Sequence, residues 1–222
     1  MAEVTVLDKI LKANEAWAEE TRRLLHERRV LCVNLIGSPG SGKTTLLESS
    51  IPHLGDSATL AVIEGDIATS RDADRIGRRG VDCVQITTGN ACHVDAHLVR
   101  QAIDKVGLDG RRMLFVENVG NLVCPAEFDI GEHAKVGVLS VPEGDEKPLK
   151  YPLLFQESAL VVLTKTDLIP HTNFSREAFH ENVRVVNPEL QVMEVCCKTG
   201  DGINSWIEWL RIQYSAACEA GS

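Results

Sequence analysis

The hydrophobic and polar positions of the chain follow two periodicities. Between residues 4 and 29, apolar side chains recur every three or four positions with charged residues between them, which predicts an amphipathic helix that packs on another surface. From residue 30 onward, short runs rich in β-branched residues alternate with helical patterns. The predicted strands lie near residues 30–36, 59–63, 82–86, 111–116, 136–141, 159–164 and 191–195. The predicted helices lie near residues 44–51, 68–79, 92–106, 151–157, 174–187 and 203–217.

This alternation of strands and helices is typical of βαβ units. It predicts an α/β fold of three layers, in which helices cover both faces of a mostly parallel central sheet of about seven strands. We therefore expect an N-terminal helix over residues 1–29, followed by one core domain over residues 30–222.

Composition and charge narrow the classes of function. The chain has 222 residues, of which 44% are hydrophobic and 25% are charged, as in ordinary globular domains. Its net charge of −9 argues against nucleic acid or an anionic membrane as a partner. The sequence has no apolar run of membrane-spanning length and no signal-peptide core, so we expect a cytoplasmic protein. Seven irregularly spaced cysteines predict free thiols rather than a disulfide framework.

The segment after the first predicted strand carries a phosphate-binding motif. Residues 37–44 read GSPGSGKT, which fits G-x-x-x-x-G-K-[ST] and opens a predicted helix, as a P-loop requires. The glycines let backbone N–H groups face a phosphate, the lysine adds a positive charge, and the threonine hydroxyl can bind Mg²⁺. The motif predicts a P-loop NTPase fold. The predicted nucleotide contacts are Gly37, Ser38, Pro39, Gly40, Ser41, Gly42, Lys43, Thr44 and Thr45.

Two acidic residues stand at the carboxyl ends of predicted strands, where such folds bind ligands. Asp66 lies just past the second strand, and we expect it, with Thr44, to contact Mg²⁺ or its water. Glu117 ends the fourth predicted strand and could orient the attacking water. With Lys43, these two acids are the candidate catalytic residues. Either acid could instead cap a helix or lie in a solvated turn.

A second motif indicates which base is bound. The sixth predicted strand ends in TKTD at residues 164–167, which resembles the N-K-x-D signature of GTPases with threonine in place of asparagine. The carboxylate of Asp167 can accept from two guanine N–H groups, which adenine does not offer, and the stem of Lys165 can pack over the ring. Cys197 and Lys198 occupy the place of the loop that contacts the guanine oxygen. These residues favour GTP and GDP over adenine nucleotides.

A cluster of cysteine and histidine residues follows a predicted turn at residues 87–90. Cys92 and His93 lie at the predicted start of a helix, with His97 four residues after His93 on the same helical face. Cys124 follows the fourth strand, and parallel strands deliver it to the same edge of the sheet. We expect Cys92, His93 and Cys124 to bind a metal ion, with His97 as a further candidate ligand. Such a donor set suits tetrahedral Zn²⁺ or square-planar Ni²⁺. Buried thiols and exposed imidazoles are the alternative interpretation.

Taken together, five segments resemble one known family. They read GSPGSGKT, EGDI, ACHVDAH, ENVGNLVCP and EGDEKPLKYP, and the similarity to the HypB family of hydrogenase nickel-incorporation GTPases extends over residues 30–212. The resemblance implies a GTPase of the SIMIBI class that forms a homodimer when GTP is bound. It further implies nickel delivery to the large subunit of [NiFe]-hydrogenase, with the metallochaperone HypA as a companion. Lys147 and Lys150 match a lysine-bearing segment of the family, and Lys150 is a candidate to reach across the dimer.

Other functions compete with this interpretation. A metallochaperone GTPase for urease or a cobalamin enzyme would differ only in its client. The urease GTPase UreG has C-P-H where this chain has Cys124, Pro125 and Ala126. A P-loop kinase would need lid arginines, for which residues 71–79 offer the only cluster. A metal-storage module with a vestigial P-loop is the last alternative, and the intact Lys43 argues against it.

Overall fold

The computed structural model describes residues 6–66, 71–89 and 91–219. Its centre is a sheet of seven strands in the order β3-β2-β4-β1-β5-β6-β7. Every strand pair is parallel, so the predicted sheet is confirmed and is parallel throughout. The strands are β1 Leu31–Ile36, β2 Leu60–Asp66, β3 Asp82–Thr87, β4 Met113–Glu117, β5 Ala134–Ser140, β6 Leu160–Thr164 and β7 Val192–Val195.

Helices cover both faces of the sheet. Helices α2, α3 and α9 pack on one face, and helices α1, α4, α5, α7 and α8 pack on the other. The helices are α1 Val6–Arg28, α2 Lys43–Ser50, α3 Arg71–Gly77, α4 Ala96–Val106, α5 Cys124–Glu127, α6 Lys147–Lys150, α7 Pro152–Glu157, α8 Arg176–Val186 and α9 Ile203–Glu219. Among the described residues, none of these helices is long and apolar enough to cross a bilayer.

Strand β1 shows why the central strands read as continuous apolar runs. Its side chains alternate between the two faces, so that Leu31, Val33 and Leu35 join the cluster under α2 and α9, while Cys32 and Ile36 join clusters on the opposite side. All five are fully buried. A strand covered on both faces needs apolar residues at nearly every position, and this holds the carboxyl end of β1 in a fixed place.

The predicted helix over residues 92–106 begins later than the sequence pattern indicated. Asp95 is the N-cap of α4, because its side chain accepts a hydrogen bond from the backbone N–H of Leu98. Cys92 and His93 therefore precede the helix, and the expectation that they lie in its first turn is wrong. Only His97 lies on the helix. Of the predicted helix 68–79, residues 68–70 lie outside the described residues, as does Asn90 of the predicted turn.

The N-terminal helix packs on its own chain. Leu25 of α1 is fully buried in the cluster that α4 completes. Asn14, which is 8% exposed, donates to the carbonyl of Asp129 at 2.6 Å and accepts from the N–H of Ala96 at 2.9 Å. Gly131, in the loop before β5, packs closely against Thr21 of α1. It adopts a φ of 84°, and a Cβ added to it would lie 2.8 Å from the Cβ of Thr21. The amphipathic pattern of α1 is thus explained by docking against α4 and the loop before β5.

We predict that Asn14→Ala lowers the free energy of unfolding by about 1–3 kcal/mol, because it leaves the buried N–H of Ala96 and the carbonyl of Asp129 without partners. Urea unfolding followed by circular dichroism measures the change. Glu15→Ala, on the exposed face of the same helix, is the matched control and should be close to neutral. Equal stability of the two variants would contradict this account of how α1 is held.

Candidate nucleotide and metal site

The P-loop connects β1 to α2 at the carboxyl edge of the sheet. Gly40 and Gly42 adopt φ angles of 77° and 101°, which residues with a side chain rarely reach. Gly37 has no room for a Cβ, which would lie 2.6 Å from the Oγ of Ser41 and would overlap the carbonyl of Val138. These glycines allow the backbone to wrap tightly before Lys43 begins α2. The helix N-terminus and its N–H groups then face the space in which a phosphate binds in this type of loop.

Lys43 is held inside the loop. Its side chain is 6% exposed, and its ammonium group donates to the carbonyls of Gly37 at 3.0 Å and Ser38 at 3.3 Å. Burial lowers the pKa of Lys43, and the nearby carboxylates of Glu117 and Glu143 partly oppose this. The lysine is therefore positioned by the loop itself.

An acidic cavity of about 350 Å³ lies beside the P-loop. Glu64 and Glu117 are paired residues on the neighbouring strands β2 and β4, and the hydroxyl of Thr44 donates to Oε1 of Glu117 at 2.7 Å. Asp66 and Asp72 also line this cavity. The structure thus brings three predicted site residues, Thr44, Asp66 and Glu117, to one cavity.

The cavity suits a hydrated divalent cation. The carboxylates of Glu64 and Glu117 are almost fully buried, and each leaves its Oε2 atom without a hydrogen-bond partner in the described structure. Burial raises the pKa of Glu117, and Lys43 opposes this shift. Burial, followed by the charges of Glu117 and Asp66, raises the pKa of Glu64 to about 8. Buried oxygen ligands beside a threonine hydroxyl match the preference of Mg²⁺.

The predicted base pocket lies on the other side of Gly42. It has a volume of about 230 Å³, and its lining includes Thr45, Asp167 and Lys198. The hydroxyl of Thr164, the residue that replaces the usual asparagine, donates to the carbonyl of Ser41 at 2.6 Å. The Nζ of Lys165 donates to the carbonyl of Gly40 at 2.6 Å. The end of β6, which carries the predicted base-recognition motif, is therefore hydrogen-bonded directly to the P-loop, and Thr164 supplies one of these hydrogen bonds.

Cys92, His93 and Cys124 come together at the same edge of the sheet. Their candidate ligand atoms all lie within 4.8 Å of one another, so that this group of described residues could hold a metal ion. The two sulfur atoms are 2.9 Å apart, and Nδ1 of His93 lies 3.7 Å from Sγ of Cys92. The hydrogen bond with Cys92 is the main reason that the pKa of the Cys124 thiol is raised. Two sulfurs and one imidazole form an open face of soft and borderline ligands.

Packing orients the imidazole of His93. Its ring stacks on Phe128 with centroids 3.9 Å apart and an angle of 27° between the planes. Burial lowers the pKa of His93, although Asp95 and Glu127 oppose the shift. A neutral imidazole is the form that binds metal.

His97 lies outside this group. Its Nε2 is 3.1 Å from the side-chain nitrogen of Gln101, and its ring packs against Trp17 with centroids 4.7 Å apart. The late start of α4 separates it from the loop that carries Cys92. Within one chain, the structure therefore places three of the four predicted metal ligands together.

Several pocket residues were missed by the sequence analysis. Glu64 and Asp72 line the acidic cavity, and Leu168 lines the base pocket. The EGD motif contained a signal for Glu64, because residues two apart on a strand point to the same face. Nothing in the sequence alone indicated Asp72, since its position depends on how α3 packs.

Comparison with known proteins fits this arrangement. Residues 31–194 match the family described as the CobW/HypB/UreG nucleotide-binding domain. The chain belongs to this family. The hydrogenase maturation factor HypB of Azotobacter chroococcum mcd 1 is 48% identical to it over 218 residues, which cover 98% of this chain and 71% of that protein. The resemblance inferred from the motifs is therefore confirmed.

Two solved structures of HypB proteins are similar throughout the fold. The crystal structure of HypB from Helicobacter pylori in complex with nickel has a TM-score of 0.87 at 35% identity and covers 92% of this chain and 96% of that one. The structure from Archaeoglobus fulgidus has a TM-score of 0.86, also at 35% identity, and covers 92% of this chain and 100% of that one. The P-loop NTPase fold predicted from the sequence is thus shown.

We predict that Glu64→Gln stabilises the protein at alkaline pH when nucleotide and Mg²⁺ are absent. The pKa of Glu64 is raised from 4.5 to about 8 on folding, so the folded state binds the extra proton between these values. The free energy of unfolding of the wild type should therefore fall as the pH rises through this window. Glutamine stays neutral, so the variant should be more stable by roughly 1–3 kcal/mol at about pH 8.5 and nearly equal at about pH 4.5.

Urea unfolding across this pH range, with a chelator present, measures the difference between the two proteins. Glu157→Gln, at an exposed carboxylate on α7, is the control and should give the same pH profile as the wild type. Parallel profiles for Glu64→Gln and the wild type would contradict the assignment of a buried, protonated Glu64.

Proposed function

We propose that this chain is a GTP-hydrolysing metallochaperone that binds nickel and delivers it during the maturation of [NiFe]-hydrogenase. The observation that carries the proposal is the Cys92, His93 and Cys124 group, whose candidate ligand atoms all lie within 4.8 Å of one another, on the segments that follow β3 and β4, the two neighbours of β2. Membership of the CobW/HypB/UreG family supports it. The cytoplasmic location expected from the sequence stays a prediction.

In the proposed reaction, the P-loop binds the phosphates of GTP and Lys43 neutralises part of their charge. Mg²⁺, when bound, supplies charge stabilisation to the phosphates. Thr44, Asp66 and Glu117 are the residues proposed to hold the ion or its water ligands and to orient the attacking water. The carboxylate of Glu117 is almost fully buried, and its low exposure to water would strengthen its electrostatic contacts.

Guanine selectivity is assigned to the base pocket. Asp167 has a partly exposed carboxylate, and Nζ of Lys198 lies 3.6 Å from it. The carboxylate would accept from N1–H and the exocyclic amino group of guanine, while Lys165, Cys197 and Lys198 flank the ring. Lys165 also donates a hydrogen bond to the carbonyl of Gly40. A base that contacts Lys165 would therefore affect this hydrogen bond to the P-loop.

Nickel is the proposed cargo. Two cysteine sulfurs and an imidazole suit Ni²⁺ in a square-planar arrangement, and the same residues suit Zn²⁺ with a fourth ligand. Cys124 begins a short helix seven residues after Glu117, so a change at the γ-phosphate can alter the distance between ligands. Metal would then be held in one nucleotide state and released in the other.

The proposed partners are a second copy of the chain in the GTP-bound state, the companion metallochaperone HypA and the hydrogenase large subunit. His97 and Lys150 are the residues that a dimer partner could recruit. Lys150 forms an ion pair of 2.7 Å with Glu146 at the surface. To bind an anionic group across a dimer, Lys150 would have to leave Glu146. Arg75 lines the acidic cavity and is therefore a candidate for the lid of a P-loop kinase. It forms ion pairs with Glu48 and Asp72 instead, which argues against the kinase alternative.

We predict that Asp167→Asn weakens GTP binding about 100-fold, because the hydrogen bonds from guanine to a charged acceptor are lost. Affinity for a xanthine nucleotide should rise, since the asparagine amide can donate to the C2 carbonyl of that base. Titration with fluorescent nucleotides measures both effects. Asp109→Asn, at an exposed carboxylate in a distant loop, should bind GTP like the wild type, and unchanged GTP affinity in Asp167→Asn would contradict the assigned base pocket.

We predict that Cys92→Ala and Cys124→Ala each weaken nickel binding by more than the roughly 10- to 100-fold typical of changes around a metal site. Both should also lose the nickel–thiolate charge-transfer absorption. Cys83→Ala removes a half-buried thiol outside the group and is the matched control. GTP hydrolysis without an acceptor, measured as phosphate release, should persist in all three variants. Nickel binding that is indifferent to Cys92 and Cys124 would contradict the metal assignment while leaving the nucleotide assignment intact.

A further inference from the structure

The segment from Asn118 to Val123 runs between the P-loop and the metal ligands. Its backbone touches the P-loop at two points. Asn121 pairs with Gly37, the first P-loop glycine, in an isolated antiparallel bridge. A Cβ on Gly120 would lie 2.7 Å from the ring of Pro39, so this glycine is required by the close approach. The backbone of this segment is therefore in direct contact with the P-loop.

The side chain of Asn121 forms hydrogen bonds with both backbone segments that carry the cysteines of the candidate metal group. Its amide nitrogen donates to the carbonyl of Cys92 at 3.2 Å. Its amide oxygen accepts from the N–H of Val123, the residue before Cys124, at 3.0 Å. One carboxamide thus joins the backbone of one sulfur ligand to the backbone that leads into the other, and both of its polar ends are used.

A neighbouring asparagine has a different role. Asn118 is 1% exposed, and its side-chain oxygen accepts from the N–H of Val94 at 3.0 Å while its nitrogen donates to Asn34 at 3.3 Å. These buried contacts connect Val94, which follows Cys92 and His93, to strand β1 at the centre of the sheet. Asn121 lies nearer the surface. It is the asparagine that contacts the P-loop through Gly37 and also both segments that carry Cys92 and Cys124.

We propose that Asn121 is the positioning residue that transmits the nucleotide state to the metal site, by coupling the backbone of the P-loop to the separation of Cys92 and Cys124. This inference rests on the proposed function, because it concerns how nickel affinity comes to depend on the nucleotide. Asn118, Val119 and Gly120 line the acidic cavity beside the P-loop. A change at the γ-phosphate would therefore move Asn121 through this segment and its bridge to Gly37, and the carboxamide would pull on the carbonyl of Cys92.

Two substitutions separate the parts of this linkage. Asn121→Asp keeps the shape of the side chain and the acceptor for Val123, but it cannot donate to the carbonyl of Cys92. Asn121→Ala removes both hydrogen bonds. Asn204→Asp places the same change at an exposed position of α9, on the other face of the sheet, and is the matched control.

The experiment measures nickel affinity of the full chain by competition with a chromophoric chelator, in GDP and in a non-hydrolysable GTP analogue. In the wild type we expect the two affinities to differ by about 5- to 150-fold, the usual range of coupling between sites. In Asn121→Asp this ratio should fall to within about 2-fold of one, while nickel–thiolate absorption and the affinity for GDP stay near the wild-type values. Asn204→Asp should keep the wild-type ratio.

Reciprocal linkage gives an independent readout. Nickel must change the ratio of the affinities for GTP analogue and GDP by the same factor by which these nucleotides change nickel affinity. Titration of fluorescent nucleotides with and without nickel should therefore show the factor in the wild type and its loss in Asn121→Asp.

Several outcomes would overturn the inference, and they are distinguishable. A wild-type ratio in Asn121→Asp and Asn121→Ala means that coupling runs elsewhere, with the proposed function intact. Loss of nickel binding in both nucleotide states means that Asn121 only builds the site. Wild-type protein that binds nickel equally in both states has no coupling to transmit, whereas wild-type protein that binds no nickel removes the proposed function as well.

Discussion

Because all seven strands of the sheet are parallel, their carboxyl ends reach a single edge, and the rest of the site depends on this constraint. The P-loop follows β1 there, the acidic residues lie at the ends of β2 and β4, and the predicted base-recognition segment follows β6. β2 lies between β3 and β4 in the strand order. The loops that carry Cys92 and Cys124 therefore start on either side of one strand and converge above it. An antiparallel pairing at any of these positions would send one component to the opposite edge.

The site concentrates buried charge that its own residues balance only in part. The charge of Lys43 interacts most strongly with Glu117 and Glu143 and less with Asp72 and Glu64, and the Oε2 atoms of Glu64 and Glu117 have no hydrogen-bond partner in the described structure. Such an arrangement costs stability in the absence of a cation. In the proposed function, the same preorganisation would let these groups act on a bound phosphate and metal with little rearrangement. The hydrogen bond from Thr44 to Glu117 connects the P-loop helix to β4, so the two halves of the phosphate site are held in register.

Local patterns in the sequence were sufficient to predict the fold, because buried parallel strands and a P-loop each have a distinctive signature. They also indicated that Cys92 and Cys124 would reach the same edge. The start of α4 was predicted incorrectly, since the hydrophobic period continues through residue 92 while the cap at Asp95 decides where the helix begins. Asn121 and Glu64 were not identified, because their importance comes from tertiary contacts. The surface covered by α1 could not be predicted, since an amphipathic stripe does not specify its partner.

The two proposed sulfur ligands, Cys92 and Cys124, are separated by 32 positions in the sequence and belong to loops that follow different strands. A short peptide from either loop supplies at most the adjacent Cys92 and His93, or Cys124 alone. The arrangement of the proposed ligand set therefore depends on the pairing of β2, β3 and β4, which an unfolded chain lacks. Metal that binds the native set and not the unfolded chain adds to the stability of the folded state. Under the proposed function, capture of the cargo would therefore depend on the pairing of these strands, and metal at this site would mark a chain that has completed this part of its folding.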